Sequence, residues 1–283
     1  MTSRWYQHWW WVVLAAWGVA ACIAPLLGDA INQISLPRMF AVPGAGLWLG
    51  ADELGRAILP RVLAGAAISA PLAALVVATT LSFGTAFGIV IGWCGGTLEL
   101  IAIRVLDLFQ AFPGLLLAIA LAGLLGPGLG NVALALCVVG WVGFARLARA
   151  QTASLKHREH VLAARALGTP NWRILLIHVV PLLAGPLLVE ATFAFAATIA
   201  AEAGMSFLGL GAQPPTASWG SMLREATQFL LIAPHMLLGP GLAIISLVMA
   251  VQTAGERLRE YWLVPGGFPI GKPSSLRSSQ RRA

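Results

Sequence analysis

Catalysis and metal binding need groups that trade protons, donate electron pairs or attack, and this chain holds few of them. Its 283 residues include 11 acidic and 18 basic side chains, five histidines and three cysteines. His8, His157, His160, His178 and His235 are dispersed, and even His157 and His160 lack a third donor nearby, so they do not read as a metal site. Cys22, Cys94 and Cys137 each sit inside an apolar run with no Cys-x-x-Cys pair, which makes them small buried hydrophobes rather than a redox couple. No serine–histidine or paired-aspartate arrangement stands out in the apolar runs, so no catalytic site is expected. No glycine-rich loop ends in Gly-Lys-Ser or Gly-Lys-Thr, so the chain is not expected to bind ATP. What remains is a short set of polar groups in unusual company. Asp52, Glu53 and Arg56 share one turn, Arg104 and Asp107 stand three apart, Glu190 lies inside an apolar run, and Glu202 precedes a glycine-rich stretch.

The elements that hold these groups are apolar helices. The chain is 58% hydrophobic and 10% charged, against about 25% charged in a soluble domain. So little polar surface cannot face water all round, and lipid must cover the rest. A spanning helix needs about 20 apolar residues to cross a hydrocarbon layer roughly 30 Å thick. Six stretches qualify: 9–27, 69–93, 107–125, 132–147, 182–201 and 236–254, the fourth being the shortest. The expected fold is therefore all-α, a polytopic membrane protein of about six transmembrane helices. The run Val19-Ala20-Ala21-Cys22 has the look of a lipoprotein cleavage site, but the apolar stretch continues through Leu27, as suits a retained span. No internal repeat or linker divides the chain, so residues 1–264 read as one domain. Residues 265–283, rich in Gly, Pro, Ser and Arg, read as a disordered tail.

The net charge of +7 is not spread as a nucleic-acid-binding stripe. Arg146, Arg149, Lys156, Arg158, Arg165 and Arg173 form one cluster, and Arg257, Arg259, Lys272, Arg277, Arg281 and Arg282 another. Six crossings place both clusters and both termini on one side, the cytoplasmic one by the bias of basic loops. Glu190 then falls within the fifth span, where a lipid-facing carboxylate costs about 2.5 kcal/mol or more. It should face the bundle interior, either as a protonated or hydrogen-bonded packing residue or as a polar group along a solute path. Glu202 and the glycines after it form irregular backbone that must line protein or water. Arg104 and Asp107 are expected to pair along one helix face. Asp52, Glu53 and Arg56 are expected just outside the membrane, where a solvated structural ion-pair cluster is one reading.

Between the fourth and fifth spans, residues 159–173 have the grammar of a helix-turn-helix. Gly168 suits the left-handed end of a first helix, Thr169 a cap for the second and Pro170 its first turn. Pro181 is expected to close that helix or bend the entry to the next span. Ala163, Ala164 and Ala166 would leave a face flat enough for close docking. Ala163-Ala164, Gly168 and Pro181 together resemble the coupling loop of permease subunits of binding-protein-dependent ABC importers, here spanning about residues 151–181. Further strings resemble the dipeptide, oligopeptide and nickel branch of that family: Leu49-Gly50-Ala51-Asp52-Glu53-Leu54-Gly55-Arg56, Glu202 through Gly211, and Ser218-Trp219-Gly220-Ser221-Met222-Leu223. Their order is similar to that of the second permease of the pair.

The resemblance implies a subunit of the bacterial inner membrane that is not itself an enzyme. Its implied partners are a second permease, two ATPase subunits carrying ATP and Mg, and a periplasmic solute-binding protein. It implies that Glu159, Ala163, Ala164, Arg165, Gly168 and Pro181 belong to the ATPase-coupling loop. Asp52, Glu53 and Arg56 become contact candidates for the binding protein, and Glu190 and Glu202 candidates for the solute path. The implied solute is peptide-like, or nickel or a metal chelate. Two departures stand out. Leu162 occupies the position before the alanine pair where the family often has Glu, leaving Glu159 or Arg165 to substitute. Gly255-Glu256-Arg257-Leu258-Arg259-Glu260 carries Glu where the family ending has Asp.

Overall fold

The computed structural model describes residues 9–263, so the expected tail at 265–283 lies outside the described residues. Helices make up the regular structure: α1 (Trp9–Ile23), α2 (Ile58–Cys94), α3 (Gly96–Ala111), α4 (Gly114–Leu125), α5 (Leu129–Leu155), α6 (Glu159–Ala166), α7 (Asn171–Ile174), α8 (Val180–Phe207), α9 (Trp219–Gln228) and α10 (His235–Leu263). Among the described residues, strand-like pairing is confined to two isolated bridges, Gly44 with Leu47 and Ala51 with Ala57. Five helical stretches are long and apolar enough to cross a membrane, and α3 with α4 makes a sixth if that bent pair is one span. The fold is an all-α polytopic membrane bundle.

The third span differs from its expected form. A single helix over 107–125 was expected, but α3 and α4 meet at a bend of 78°. Pro113 explains the break, because it has no N–H to donate and its ring pushes the preceding residue out of helical geometry. Phe112 accordingly takes φ −102°, ψ 142°. The second span begins at Ile58 rather than Ser69, and α2 runs 37 residues. The fourth, expected to be the shortest, runs 27 residues as α5. The fifth joins α7, a π turn over Leu175–Val179 and α8 into one stretch, Asn171–Phe207. At 1.5 Å per residue, 37 residues reach about 55 Å, well beyond a hydrocarbon layer of roughly 30 Å. Both long helices therefore project from the membrane.

α2 and α5 run in the same direction and make the most extensive contact in the bundle. Gly84, Gly88 and Gly92 repeat every fourth residue on α2. A methyl at these positions would run into the carbonyls of Trp141, Ala145 and Arg149 respectively. Small residues at this spacing let two backbones approach closely, which is how helices gain van der Waals contact where lipid removes the hydrophobic driving force. A second core gathers α1, α2, α8, α9 and α10 around Trp219, which is fully buried. Its indole Nε1 donates to the Val62 carbonyl at 2.8 Å, and Trp17 of α1 meets its ring edge-on at 5.1 Å.

This packing sorts the polar segments to two ends. The hairpin end carries the foot of α2, the foot of α5, α6 and α7. The long-loop end carries residues 32–57, the start of α2, the turn after α8, and α9. The cysteines depart from expectation: Cys22 and Cys94 are exposed on the bundle surface and Cys137 is half-buried.

Candidate functional sites at the two ends of the bundle

At the hairpin end, α6 stops where the sequence grammar places the stop. Gly168 has φ +77°, the left-handed conformation that a Cβ disfavours. Its N–H donates to the Arg165 carbonyl at 3.0 Å, and the Thr169 N–H to Ala164 at 3.1 Å. The two bonds form a Schellman motif and satisfy the last carbonyls of α6. Thr169 does not cap the second helix. Pro170 stands at that position, without a side-chain cap. Pro181 does not close the second helix either, which continues through the π turn into α8. The widened turn falls just before Pro181, where a regular helix would lack a donor and meet the proline ring.

The alanine pair splits between two faces. Ala164 points inward with Val161 and Ile174 to form a small core that packs on Trp93, near the foot of α2. Ala163 and Ala166 point outward, together with Glu159 and Arg165. The outward face also carries Leu162, Leu167 and Trp172, exposed by 47%, 86% and 64%. Leu162 stands out in the sequence only as a departure before the alanine pair, and Leu167 and Trp172 not at all, because isolated large apolar residues in an apolar chain carry no signal. Arg165 lies over the Trp93 ring at 5.0 Å, and Lys156 Nζ donates to the Trp93 carbonyl at 3.1 Å.

At the long-loop end, Asp52, Glu53 and Arg56 do come together, but not as a solvated cluster. Asp52 is 3% exposed and Arg56 6%. Asp52 Oδ1 accepts the backbone N–H of Leu54 and of Arg56, each at 2.9 Å, and Oδ2 accepts Arg56 Nε at 2.6 Å. Arg56 Nη2 donates to Glu53 at 2.9 Å. Two further residues, Arg61 and Glu225, complete the network. Arg61, 1% exposed, donates to Glu225 of α9 at 3.1 Å, and its Nε lies 3.5 Å from Asp52 Oδ2. Burial pushes the Glu225 carboxyl above its ordinary value, with Arg61 opposing. No short-range signal pointed to Glu225, since it stands 164 positions from its main partner.

Deeper in the bundle, Glu202 is fully buried and bonded at both oxygens. Ser69 of α2 and Ser206 of α8 each donate to it at 2.7 Å, and Ser206 Oγ accepts the Ala212 N–H at 3.3 Å. The carboxylate thus ties α2 to the glycine-rich turn after α8. Glu190 faces α5, where a methyl at Gly143 would lie 3.4 Å from its Oε1. That level is only three residues above Arg146, which places Glu190 toward the hairpin end. Asp107 does not pair with Arg104. It accepts from Arg146 of α5 at 2.6 Å, while Glu99 accepts from Arg149 at 2.6 Å. Cross-helix partners prevail here because α3 packs against α5.

The architecture is that of a membrane subunit with a projecting hairpin, and comparison with known proteins agrees. Residues 84–261 match the family described as binding-protein-dependent transport system inner membrane component. The chain is 36% identical over 250 residues to the dipeptide transport system permease protein DppC of Alkalihalophilus pseudofirmus, covering 88% of this chain and 82% of that protein. It is 38% identical over 232 residues to the glutathione transport system permease protein GsiD of Pectobacterium atrosepticum, covering 82% and 77%. It is 39% identical over 241 residues to GsiD of Escherichia coli O1:K1, covering 85% and 79%. This chain therefore belongs to the binding-protein-dependent transport system inner membrane components, as an ABC importer permease of the peptide family and not an enzyme in its own right.

Proposed function

We propose that this chain is one of two permease subunits that together pass a peptide-like solute across the bacterial inner membrane. A periplasmic binding protein delivers the solute to the long-loop end, and ATP with Mg is hydrolysed on two separate ATPase subunits docked at the hairpin end. The relatives named for dipeptide and glutathione transport favour a short peptide over nickel or a metal chelate. The single observation that carries the reading is the outward face of the hairpin. Leu162, Leu167 and Trp172 stand exposed beside Arg165 and Arg173, on a segment that projects beyond the membrane. Apolar side chains gathered on a projecting surface favour a protein partner. Glu159 and Arg165 are exposed on the same hairpin, Gly168 sets the angle between its helices, and Pro181 marks where it passes into α8.

On this reading Asp52 and Arg56 act from within, holding the shape of the loop offered to the binding protein, since both are buried. Glu53 keeps 20% of its side chain exposed and remains a charged contact candidate, which Glu225, 26% exposed, joins. Glu202 braces the outer part of the path, and Glu190 lines its inner part. The test is a Leu167→Asp, Trp172→Ala double variant expressed with its partners. Normal membrane insertion with loss of ATPase co-purification and of peptide uptake is the expected result. Uptake that survives removal of the ATPase subunits would show a self-sufficient carrier instead.

A further inference from the structure

We infer that Trp93 is the positioning residue through which the hairpin moves α2, so that α2 acts as the rod joining the hairpin end to the polar network of the long-loop end. The inference rests on the coupling reading of the hairpin. Three independent contacts converge on Trp93. Its ring packs against Val161, Ala164 and Ile174, which together hold α6 to α7. Its face receives the Arg165 guanidinium at 5.0 Å, an attraction between cation and ring quadrupole. Its carbonyl accepts Lys156 Nζ at 3.1 Å, tying the residue to the foot of α5 where the hairpin begins. One residue thus meets the hairpin's first helix and the start of its second through its side chain, and the lead-in through its main chain.

The other end of the same helix is fixed to α9 and to the end of α8. Arg61 binds Glu225 of α9, and Ser69 binds Glu202 of α8. From Arg61 to Trp93 the helix spans about 48 Å at 1.5 Å per residue. Between these points the glycine stripe holds α2 close against α5. A displacement of the hairpin has a direct route along this helix to both outer networks, while α6 itself makes few other contacts with the bundle. The outward residues Leu162, Leu167 and Trp172 are exposed and lie outside the cluster that packs on Trp93. Arg165 aside, which is exposed beside the docking face and also lies over Trp93, docking the ATPase and transmitting its movement fall to different side chains.

The experiment uses the complete importer, with both permeases and the ATPase subunits, reconstituted in lipid vesicles. ATP hydrolysis is measured with and without the peptide-loaded binding protein, beside the amount of ATPase retained on purification. Trp93→Leu removes the π face and keeps an apolar side chain, Trp93→Phe restores an aromatic face, and Gly168→Val tests the hairpin itself. The expected result for Trp93→Leu is normal ATPase retention with stimulated hydrolysis and uptake reduced about fivefold or more, the lower range of coupling between distant sites. Trp93→Phe should recover most of that loss, which a mere packing defect would not distinguish. Normal stimulation in Trp93→Leu overturns the inference and leaves the coupling reading standing. Loss of the ATPase in Trp93→Leu also overturns it, because Trp93 would then be building the docking face. Normal retention and normal stimulation in Gly168→Val removes the coupling reading, and the inference with it.

Discussion

Arg61 and Glu225 show how a single residue's worth depends on its partner. Removing one member of a buried ion pair leaves the other charge without compensation and costs about 3–5 kcal/mol, whereas replacing both can be nearly neutral. Glu225 keeps Arg56 Nη2 at 3.5 Å and is partly exposed, so Arg61→Met should lower the melting temperature of the detergent-purified complex by less than that full cost, and the Arg61→Met, Glu225→Leu double variant should recover part of the loss. Equal melting of wild type and Arg61→Met would show the pair to be unimportant. Glu225 also carries a pH signature. Because burial raises its pKa, the folded chain holds this proton more tightly than the unfolded chain. Its contribution to stability is thus fullest below the ordinary carboxylate value of 4.5 and is lost as pH rises through the raised value. Glu225→Gln should flatten that part of the stability profile in a pH series of melts. Glu202 offers a contrast, since its two serine donors are buried with it. Glu202→Gln leaves an acceptor for one hydroxyl and a donor for the other. Glu202→Leu orphans both, at roughly 1–3 kcal/mol each, and should melt well below the Gln variant.

At the scale of elements, the α2–α5 contact has no room for side chains where the glycine stripe lies. Gly88→Leu drives a side chain against the Ala145 carbonyl and Ala148, and the α2 backbone must move away to admit it. Overpacking of this kind typically costs about 1–3 kcal/mol or more, and the expected outcome is loss of the folded subunit from membrane extracts. Gly123→Leu on α4 serves as the control, because nothing lies within 4 Å of its added Cβ. If both variants accumulate equally, the stripe is not what holds these helices together. The bend between α3 and α4 belongs to the same scale. It is local in cause, resting on Pro113 and the extended Phe112, and it gives one crossing two helical directions.

For the whole molecule, the proposed orientation puts the hairpin in the cytoplasm and the long loops in the periplasm. Single cysteines replacing Leu167 and Trp48 are suitable reporters, being 86% and 80% exposed. On a background with Cys22, Cys94 and Cys137 replaced by alanine, a membrane-impermeant thiol reagent added to spheroplasts should label position 48 and spare 167. Inverted vesicles should show the reverse. Labelling of both from the same side would refute the odd number of crossings, three, between them.

Much of this architecture was legible in the chain because its causes are local. Apolar runs long enough to span lipid announce helices whatever their neighbours, and basic clusters mark the ends. Gly168 announces a left-handed stop because no other residue takes that conformation so cheaply. The lengths of α2 and α5 were underestimated for a physical reason: their projecting ends are covered by protein rather than lipid, so hydropathy no longer marks where they begin or end. The pairings were the tertiary structure's to decide. Arg104 and Asp107 are neighbours on one helix, yet Asp107 turns to Arg146 because α3 packs on α5. Asp52 and Arg56 lie close in the chain, but only the arrival of α9 brings Glu225 to them and to Arg61. Trp93 reads as one more aromatic at a helix end until folding lays the hairpin across it. Sequence spacing determines which side chains share a face, whereas partners from distant segments are chosen by how whole helices pack.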